Sequence, residues 1–282
     1  MGESTRSSGG EREIRVHQVA AEGFDKGADS YERARPSYPD EAVALIVERL
    51  GIRPGRRVLD LAAGTGKLTR LLVPTGAELI ALEPVEGMRV QLERAVPGVE
   101  ALDGTAESVP LPDASIDAVV CAQAWHWFDS PRALTEMARV LRPPTGEPSG
   151  LAVLFNIRDE SVDWVREVTT ITEFMDANRP HHRTTRQKFA AEVEASGAFG
   201  RAAESGGIGP VELHTFRYSH TMTPDLLVER MASQSNVAIM DDAKRAAVLD
   251  EVRELARTHP DLAGRDEFEM PYDTEVALCF RS

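Results

Sequence analysis

The stretch that decides the fold reads VLDLAAGTG and covers residues 58–66. Its first half is apolar and has the length of a buried strand, and its second half is a turn of small residues. The stretch KLTRLLVP (67–74) follows with the pattern of a helix that Pro74 stops. A buried strand that leads through a glycine turn into a helix predicts a βαβ unit, with N–H groups at the helix N-terminus offered to a ligand.

The alternation of strand and helix continues on both sides of this stretch. Short apolar runs predict further strands over 78–84, 99–104, 116–123 and 151–156, and apolar residues at helical spacing predict helices over 41–50, 86–96 and 131–141. Strands that alternate with helices form parallel sheets with helices on both faces. The expected fold class is therefore α/β, with a doubly wound, Rossmann-like sheet.

The pattern changes after residue 156. Residues 158–200 have a mostly helical pattern, and strands are predicted over 211–220 and 272–281, with helices over 223–233 and 241–258 between them. An antiparallel hairpin should therefore complete the sheet. The expected organisation is a disordered tail (1–16), an N-terminal lid segment (17–40), a cofactor-binding core (41–157), a helical cap (158–210) and a C-terminal completion of the sheet with inserted helices (211–282).

Charge and composition exclude several classes of partner. The 282 residues include 32 Lys and Arg against 46 Asp and Glu, a formal net charge of −14, which repels phosphate backbones, so no nucleic-acid partner is expected. No apolar run approaches the roughly 18 residues of a membrane helix, so no membrane partner is expected. The N-terminus lacks the apolar segment of a secretory signal, and Cys121 and Cys279 lack metal-type spacing. We expect a cytoplasmic protein without a metal and with a small-molecule substrate.

Three kinds of cofactor could use the glycine turn. A nucleotide P-loop is excluded because Leu61 and Leu68 stand where its pattern needs Gly and Ser or Thr. A dinucleotide site is disfavoured because Thr69 replaces the third glycine of its fingerprint. S-adenosylmethionine has no pyrophosphate and needs only close backbone approach. Glu83, at the end of the second strand, either accepts hydrogen bonds from both ribose hydroxyls or serves only the N-terminus of the next helix.

The chain resembles the class I S-adenosylmethionine-dependent methyltransferases in three successive motifs: VLDLAAGTG (58–66), ALEP (81–84) and GTAESVPLPDASIDAVV (104–120). It is similar to their trans-aconitate methyltransferase-like branch in FDKGADSYERARPSYP (24–39), AQAWHWFD (122–129) and PYDTEVALCFR (271–281). The resemblance covers about residues 17–281. One departure is Ala62-Ala63, where the family usually has Gly-Cys or Gly-Ser, because a positive φ at residue 62 is costly for alanine.

The resemblance implies S-adenosylmethionine as the cofactor and assigns the residues around it by position. Asp60, Ala62 and Gly64 resemble the residues that cradle the methionine part, Glu83 resembles the acid that binds the ribose, and Met88 resembles a residue that packs on the adenine. Thr105, Ala106 and Glu107 resemble the segment that faces the adenine edge, and Ala122 and Gln123 resemble the residues beside the sulfonium. Tyr31 and Arg35 resemble the N-terminal segment that closes over the cofactor. Many relatives have Asp where Thr105 stands, so that contact is expected through the backbone only.

The acceptor side is predicted from residue types beyond the fourth strand. His126 is the titratable candidate there, either as a general base or as a residue that packs locally. Aromatic residues at 125–128 favour an acceptor with apolar bulk, and the arginines at 35, 158 and 183 favour a negative group on it. The predicted substrate-binding residues are Tyr38, Trp127, Arg158 and Trp164.

The sequence therefore predicts methyl transfer from S-adenosylmethionine to a small organic acceptor, at an oxygen of a carboxylate or hydroxyl. Two alternatives stay open at this point: a non-methylating protein on the same cofactor-binding fold, and a nicotinamide-dependent oxidoreductase. Fold alone does not separate the three, because one fold hosts many activities.

Overall fold

A computed structural model describes residues 34–173, residue 189 and residues 211–281. Its strands form one sheet in the order β3-β2-β1-β4-β5-β7-β6. The first five in this order are parallel, and β7 runs antiparallel to both β5 and β6. The strands are β1 (Arg57–Leu61), β2 (Glu78–Leu82), β3 (Glu100–Leu102), β4 (Ala118–Ala122), β5 (Gly150–Arg158), β6 (Glu212–Met222) and β7 (Phe268–Phe280).

The helices of the described residues lie before and between these strands. Before and within the parallel part are α1 (Asp40–Arg49), α2 (Lys67–Leu72), α3 (Glu86–Ala95) and α4 (Ser130–Val140); beyond it are α5 (Asp163–Glu173), α6 (Pro224–Ala232), α7 (Ser235–Ala238) and α8 (Asp242–Thr258). The predicted α/β fold, with a mostly parallel Rossmann-like sheet and antiparallel strands at the C-terminal end, is confirmed.

Strand β1 shows why the sheet has two covered faces. Leu59 and Leu61 enter one hydrophobic cluster, and Val58 enters a second cluster on the other side of the sheet. Side chains alternate along a strand, so a strand that is apolar at successive positions must be buried on both faces. This burial explains why the apolar run at 58–61 predicts an interior parallel strand.

The order of the strands creates a crevice at the end of β1. Val58 pairs with Leu79 of β2 on one side and with Ala118 of β4 on the other. The connections therefore leave β1 in opposite directions, and ligands of open α/β sheets bind outside the carboxyl ends of the strands at such a switch point. This geometry brings the glycine turn and the ends of β2 and β4 to one edge.

Beyond the carboxyl edge, the antiparallel strands continue as a long hairpin. Strand β7 begins at Phe268, four residues before the predicted start at 272, and Phe268 pairs with Met222. The sequence pattern missed this beginning because Pro271, which pairs with Ser219, is read as a strand boundary. The protruding hairpin supports the helices of the C-terminal half.

A third hydrophobic cluster holds α5, α6 and α8 against this hairpin. It includes Trp164 and Val165 of α5 with Met222, Val252 and Phe268. Helices that precede β6 in the chain (α5) and helices that follow it (α6 and α8) thus form one layer. Most of the cap predicted over 158–210 lies outside the described residues, apart from α5 and Phe189. The tail at 1–16 and the lid up to residue 33 also lie outside them.

The described end of the predicted lid is built into the fold. Tyr38 is only 7% exposed and packs in the second cluster with residues of α1. The Asn156 side chain on β5 donates from Nδ2 to the Ser37 carbonyl oxygen at 2.8 Å. This is a correction to the prediction that Tyr38 contacts substrate: its ring is a core side chain, because it covers the apolar face of α1.

Candidate cofactor site and active site

The glycine turn between β1 and α2 has three residues in left-handed conformations. Ala62 has φ 54°, Gly64 has φ 58° and Gly66 has φ 81°. The positive φ expected to be costly at Ala62 is present, which stores strain at this position. The Ala63 N–H donates to the Leu82 carbonyl at 3.1 Å and so fastens the turn to the end of β2.

The two glycines of the turn are needed for different reasons. A Cβ on Gly66 would lie 3.0 Å from both Leu92 and Val96, so Gly66 allows α2 to pack on α3. A Cβ on Gly64 would meet only Met88 Sδ, at 4.0 Å, among the described residues. Gly64 therefore leaves open space over the turn, with Met88 across it, where a ligand can approach the backbone.

Glu83 ties the turn to the start of α3. Its carboxylate is 4% exposed, and it accepts N–H bonds from Gly64 at 2.9 Å (Oε2) and from Val85 at 3.0 Å (Oε1). Burial raises the pKa of Glu83, while these two hydrogen bonds and the charge of Arg89 oppose the rise. Glu83 therefore has the structural role at the start of α3. Each of its carboxylate oxygens can still accept a further hydrogen bond, such as one from a ribose hydroxyl.

Asp60 supports the turn from beneath. It is 2% exposed and accepts a hydrogen bond from Thr69 Oγ1 at 2.5 Å. Burial raises the pKa of the Asp60 carboxyl to about 7; the Thr69 hydrogen bond lowers it, and the charge of Glu83 raises it. Thr69, which replaces the third glycine of a dinucleotide fingerprint, is fully buried and serves Asp60.

Asp60 should make stability depend on pH. Its pKa is higher in the folded state than in the unfolded state, so the stability it contributes is present at low pH and lost as pH rises through about 7. We expect the free energy of unfolding of the wild type to fall by roughly 1 kcal/mol between pH 6 and pH 8 relative to Asp60→Asn. Urea titrations of both proteins measure this difference, and parallel pH profiles would contradict it.

The stretch directly after the segment predicted to face the adenine (105–107) is held by side chains that were not predicted from the sequence. Arg139 on α4 donates to the Val109 carbonyl and the Leu111 carbonyl, each at 2.8 Å. Glu136, one turn earlier, accepts the Val109 N–H at 2.8 Å. No local pattern reveals this support, because the bonds join residues 27–30 positions apart.

Within that segment, the predicted residues have different surroundings. Thr105 forms an isolated bridge with Ser108, and Ala106 is buried in the first cluster. Glu107 accepts the Asp129 N–H at 2.8 Å and so joins the segment to the loop after β4.

The end of β4 presents Ala122 and Gln123 beside the turn. Gln123 has φ 59°, and its N–H donates to the Leu154 carbonyl at 2.9 Å. A left-handed glutamine directly after a parallel strand stores backbone strain, a feature that clusters at functional sites. Gln123 therefore lies at the carboxyl edge of the sheet, and its role beside the sulfonium stays a prediction.

The aromatic residues after β4 divide into a buried and an exposed group. Trp125 is a core residue, edge-on to Phe128 at 5.5 Å and to Phe189 at 4.7 Å between ring centroids. His126 is exposed and Trp127 is 43% exposed, with their rings 4.6 Å apart. The predicted aromatic wall is corrected accordingly: Trp125 supports the core, and the exposed rings are His126 and Trp127.

The predicted substrate arginines lie around the end of α6. Arg35 Nη2 donates to the Ser233 carbonyl at 2.8 Å, and Arg158 Nη1 donates to Met231 Sδ at 3.4 Å. Tyr31 and Arg183 lie outside the described residues.

Trp164 is corrected to a core position. It is 4% exposed and packs edge-on against Phe268, with ring centroids 5.3 Å apart. Its indole is buried because it fills the third cluster between α5 and the hairpin. Trp164 also lines a cavity together with Thr221 and Phe268, and its contact with a substrate stays a prediction.

Two features are absent from the described residues. They contain no group of three or more His, Cys, Asp or Glu that could hold a metal ion. None of their helices is long and apolar enough to cross a membrane.

Comparison with known proteins identifies relatives along nearly the whole chain. The family described as "Methyltransferase domain" matches residues 59–145. An uncharacterized methyltransferase of Mycobacterium tuberculosis is 38% identical over 259 residues, which are 92% of this chain and 94% of the relative. A malonyl-[acyl-carrier protein] O-methyltransferase of Methylococcus capsulatus is 39% identical over 132 residues, 44% of this chain and 46% of the relative.

The fold is shared with a solved structure as well. The YcgJ protein of Bacillus subtilis has 18% sequence identity and a TM-score of 0.53, over 86% of this chain and 98% of that chain. The similarity to the mycobacterial relative covers 92% of this chain and so extends well beyond the family's match at 59–145. The chain therefore belongs to the class I S-adenosylmethionine-dependent methyltransferases and is an enzyme of that family.

Proposed function

We propose that the enzyme binds S-adenosylmethionine over the glycine turn and methylates an oxygen of a small organic acid. The observation that supports this most is the hydrogen bond from the Gly64 N–H to Glu83. It joins the open side of the turn to a buried carboxylate at the neighbouring strand end. A ligand that approaches the backbone of the turn at Gly64 would therefore also bring its ribose within reach of Glu83.

The residues present fit the cofactor. The space that a Cβ on Gly64 would fill, opposite Met88, suits the approach of a nucleoside, and Glu83 has acceptor sites for ribose hydroxyls. S-adenosylmethionine supplies an electrophilic methyl group, which a nucleophilic oxygen takes as the methyl–sulfur bond breaks and S-adenosylhomocysteine leaves. The protein's contribution is orientation and exclusion of water, and orientation alone can lower a barrier by about 7–11 kcal/mol.

A carboxylate acceptor is favoured by the groups on the α6 side of the site. Arg35 and Arg158 both reach the end of α6 and bring two positive charges there. Separately, Trp127 after β4 is exposed and offers an apolar surface. The Methylococcus relative is named as an O-methyltransferase of malonyl-[acyl-carrier protein], and a malonyl group carries a carboxylate. The motif AQAWHWFD (122–129) supports the trans-aconitate methyltransferase-like branch, which also methylates carboxylates.

The test is transfer of a labelled methyl group from S-adenosylmethionine to a panel of carboxylic acids, phenols and amines. Mild alkali releases the label as methanol from a methyl ester but leaves methyl ethers and methylamines intact. We expect turnover with at least one acid and an alkali-labile product. Turnover with phenols or amines alone, and an alkali-stable product, would overturn the proposed acceptor.

Substitution of His126 distinguishes a carboxylate acceptor from a phenol or amine acceptor. A carboxylate is already ionised and needs no base, so His126→Ala should change kcat only modestly, through lost packing on Trp127. A phenol or amine acceptor would instead make the loss about 10²-fold and remove a pH-rate limb near 6.5, the ordinary imidazole pKa. Steady-state kinetics over pH 5–9 measure both quantities.

A further inference from the structure

Arg230 and His220 lie together beyond the carboxyl edge of the sheet. Arg230 is in the last turn of α6, and His220 is near the end of β6. Nε and Nη1 of Arg230 and Nδ1 of His220 are buried, and none has a hydrogen-bond partner among the described residues. Buried polar groups are nearly always hydrogen-bonded, so such a pair of side chains signals a missing acceptor or donor.

The positive charges near His220 favour a negative partner for these groups. Burial lowers the pKa of His220, and the positive charges of Lys67 and Arg230 lower it further, while Glu269 opposes them. Glu269 is exposed and accepts a hydrogen bond from Thr221 Oγ1 at 2.7 Å. Concentrating cations around one half-buried imidazole is costly unless an anion is bound.

A chain of contacts joins these residues to the cofactor site. Lys67, the first residue of α2, donates from Nζ to the Arg35 carbonyl at 2.7 Å. Arg35 donates to the Ser233 carbonyl at 2.8 Å, and Ser233 Oγ donates to the Arg230 carbonyl at 2.8 Å. The basic residues therefore border the space between the glycine turn and α6.

We propose that Arg230, His220 and Lys67 form a carboxylate-binding subsite of the active site. A carboxylate placed between them would accept hydrogen bonds from the Arg230 guanidinium, and the ammonium of Lys67 would contribute a second positive charge. The carboxylate belongs either to the acceptor or to the aminocarboxylate end of the cofactor. This inference rests on the proposed function only for the identity of the acceptor, since the subsite itself is defined by protein groups.

The test is calorimetric binding to the full-length protein, without turnover. The probes are citrate, added to protein saturated with S-adenosylhomocysteine, and trimethyl citrate as its uncharged counterpart. The variants are Arg230→Gln and His220→Gln, with Arg253→Gln as the control, because Arg253 is exposed on α8 and pairs with Asp250 at 2.5 Å. Circular dichroism establishes that each variant is folded.

For an acceptor subsite, citrate should bind the wild type and the control equally, and Arg230→Gln should weaken it by at least about tenfold. Trimethyl citrate should show no such difference. For a cofactor subsite, Arg230→Gln should weaken S-adenosylhomocysteine by a similar factor and leave methylthioadenosine, which lacks the aminocarboxylate, unaffected. Should Arg230→Gln not fold, His220→Gln must show the same selective loss.

The proposal is overturned if folded variants bind citrate, S-adenosylhomocysteine and methylthioadenosine as the wild type does. Failure of the proposed function has a different signature, because it would appear as absent or alkali-stable methyl transfer. Binding of a carboxylate that depends on Arg230 would survive that failure.

Discussion

Gly64→Val should abolish detectable binding of S-adenosylmethionine, a loss of more than about 100-fold in affinity. The residue has φ 58°, which a β-branched side chain tolerates poorly, and the added atoms fill the open space opposite Met88. Methyl groups there would occupy the volume in which the nucleoside approaches the backbone. Isothermal titration calorimetry with S-adenosylmethionine and S-adenosylhomocysteine measures the effect.

Gly98→Val is the matched control for this variant. Gly98 also has a positive φ, 90°, and a Cβ there meets nothing within 4 Å. Both substitutions carry a strain of about 1–2 kcal/mol from the left-handed backbone, so their losses of stability should be similar. Only Gly64→Val should lose the cofactor; normal affinity in that variant would mean that the turn is not the cofactor site.

Glu83→Ala should weaken binding of S-adenosylmethionine by about 10- to 150-fold, the scale of a lost hydrogen bond to a charged group. The carboxylate holds the Gly64 N–H and the Val85 N–H, and its remaining acceptor sites are those proposed for the ribose. The same calorimetric titration measures the loss. An affinity equal to that of the wild type would leave Glu83 with its structural role alone.

Asp117→Ala controls for the removal of a buried carboxylate. Asp117 accepts the Arg57 N–H at 2.7 Å and pairs with Arg142 at 2.8 Å, at the amino end of β4 and so at the opposite edge of the sheet. This variant should lower the free energy of unfolding without changing cofactor affinity. Equal losses of affinity in both variants would attribute the effect of Glu83→Ala to general destabilisation.

The parallel part of the fold could be predicted because each of its signals is local. The run at 58–61 is apolar on both faces, and the small residues at 62–66 mark the turn. Pro74 stands in the short 3-10 turn that ends α2. Each of these features depends on residues within one element, so alternation of strand and helix is sufficient to assign the sheet.

The aromatic residues show where sequence reasoning stops. The sequence predicts Tyr38, Trp125 and Trp164 in a wall or pocket, and all three are buried side chains that pack in hydrophobic clusters. An aromatic ring after a strand has the same sequence signature whether it faces a ligand or fills a cluster. For Trp164, the packing of α5 on strands β6 and β7 shows that the ring fills a cluster, and no sequence pattern contains this information.

The carboxylate-binding subsite could not be predicted from the sequence, because its residues are far apart in the chain. Lys67 begins α2, whereas His220 and Arg230 belong to the C-terminal half and approach it through the contact between Arg35 and Ser233, which are 198 positions apart. The sequence predicts a role for Arg35 from its position near the first core helix, but no sequence pattern indicates which residues surround it.

The most direct test of the central claim is a crystal structure of the full-length enzyme with S-adenosylhomocysteine. The account predicts adenosine over the glycine turn, with the ribose hydroxyl oxygens about 2.7 Å from the Glu83 carboxylate and the Gly64 backbone in contact with the ligand. A nucleoside bound elsewhere, or a ribose that leaves Glu83 bonded only to the N–H groups of Gly64 and Val85, would contradict it.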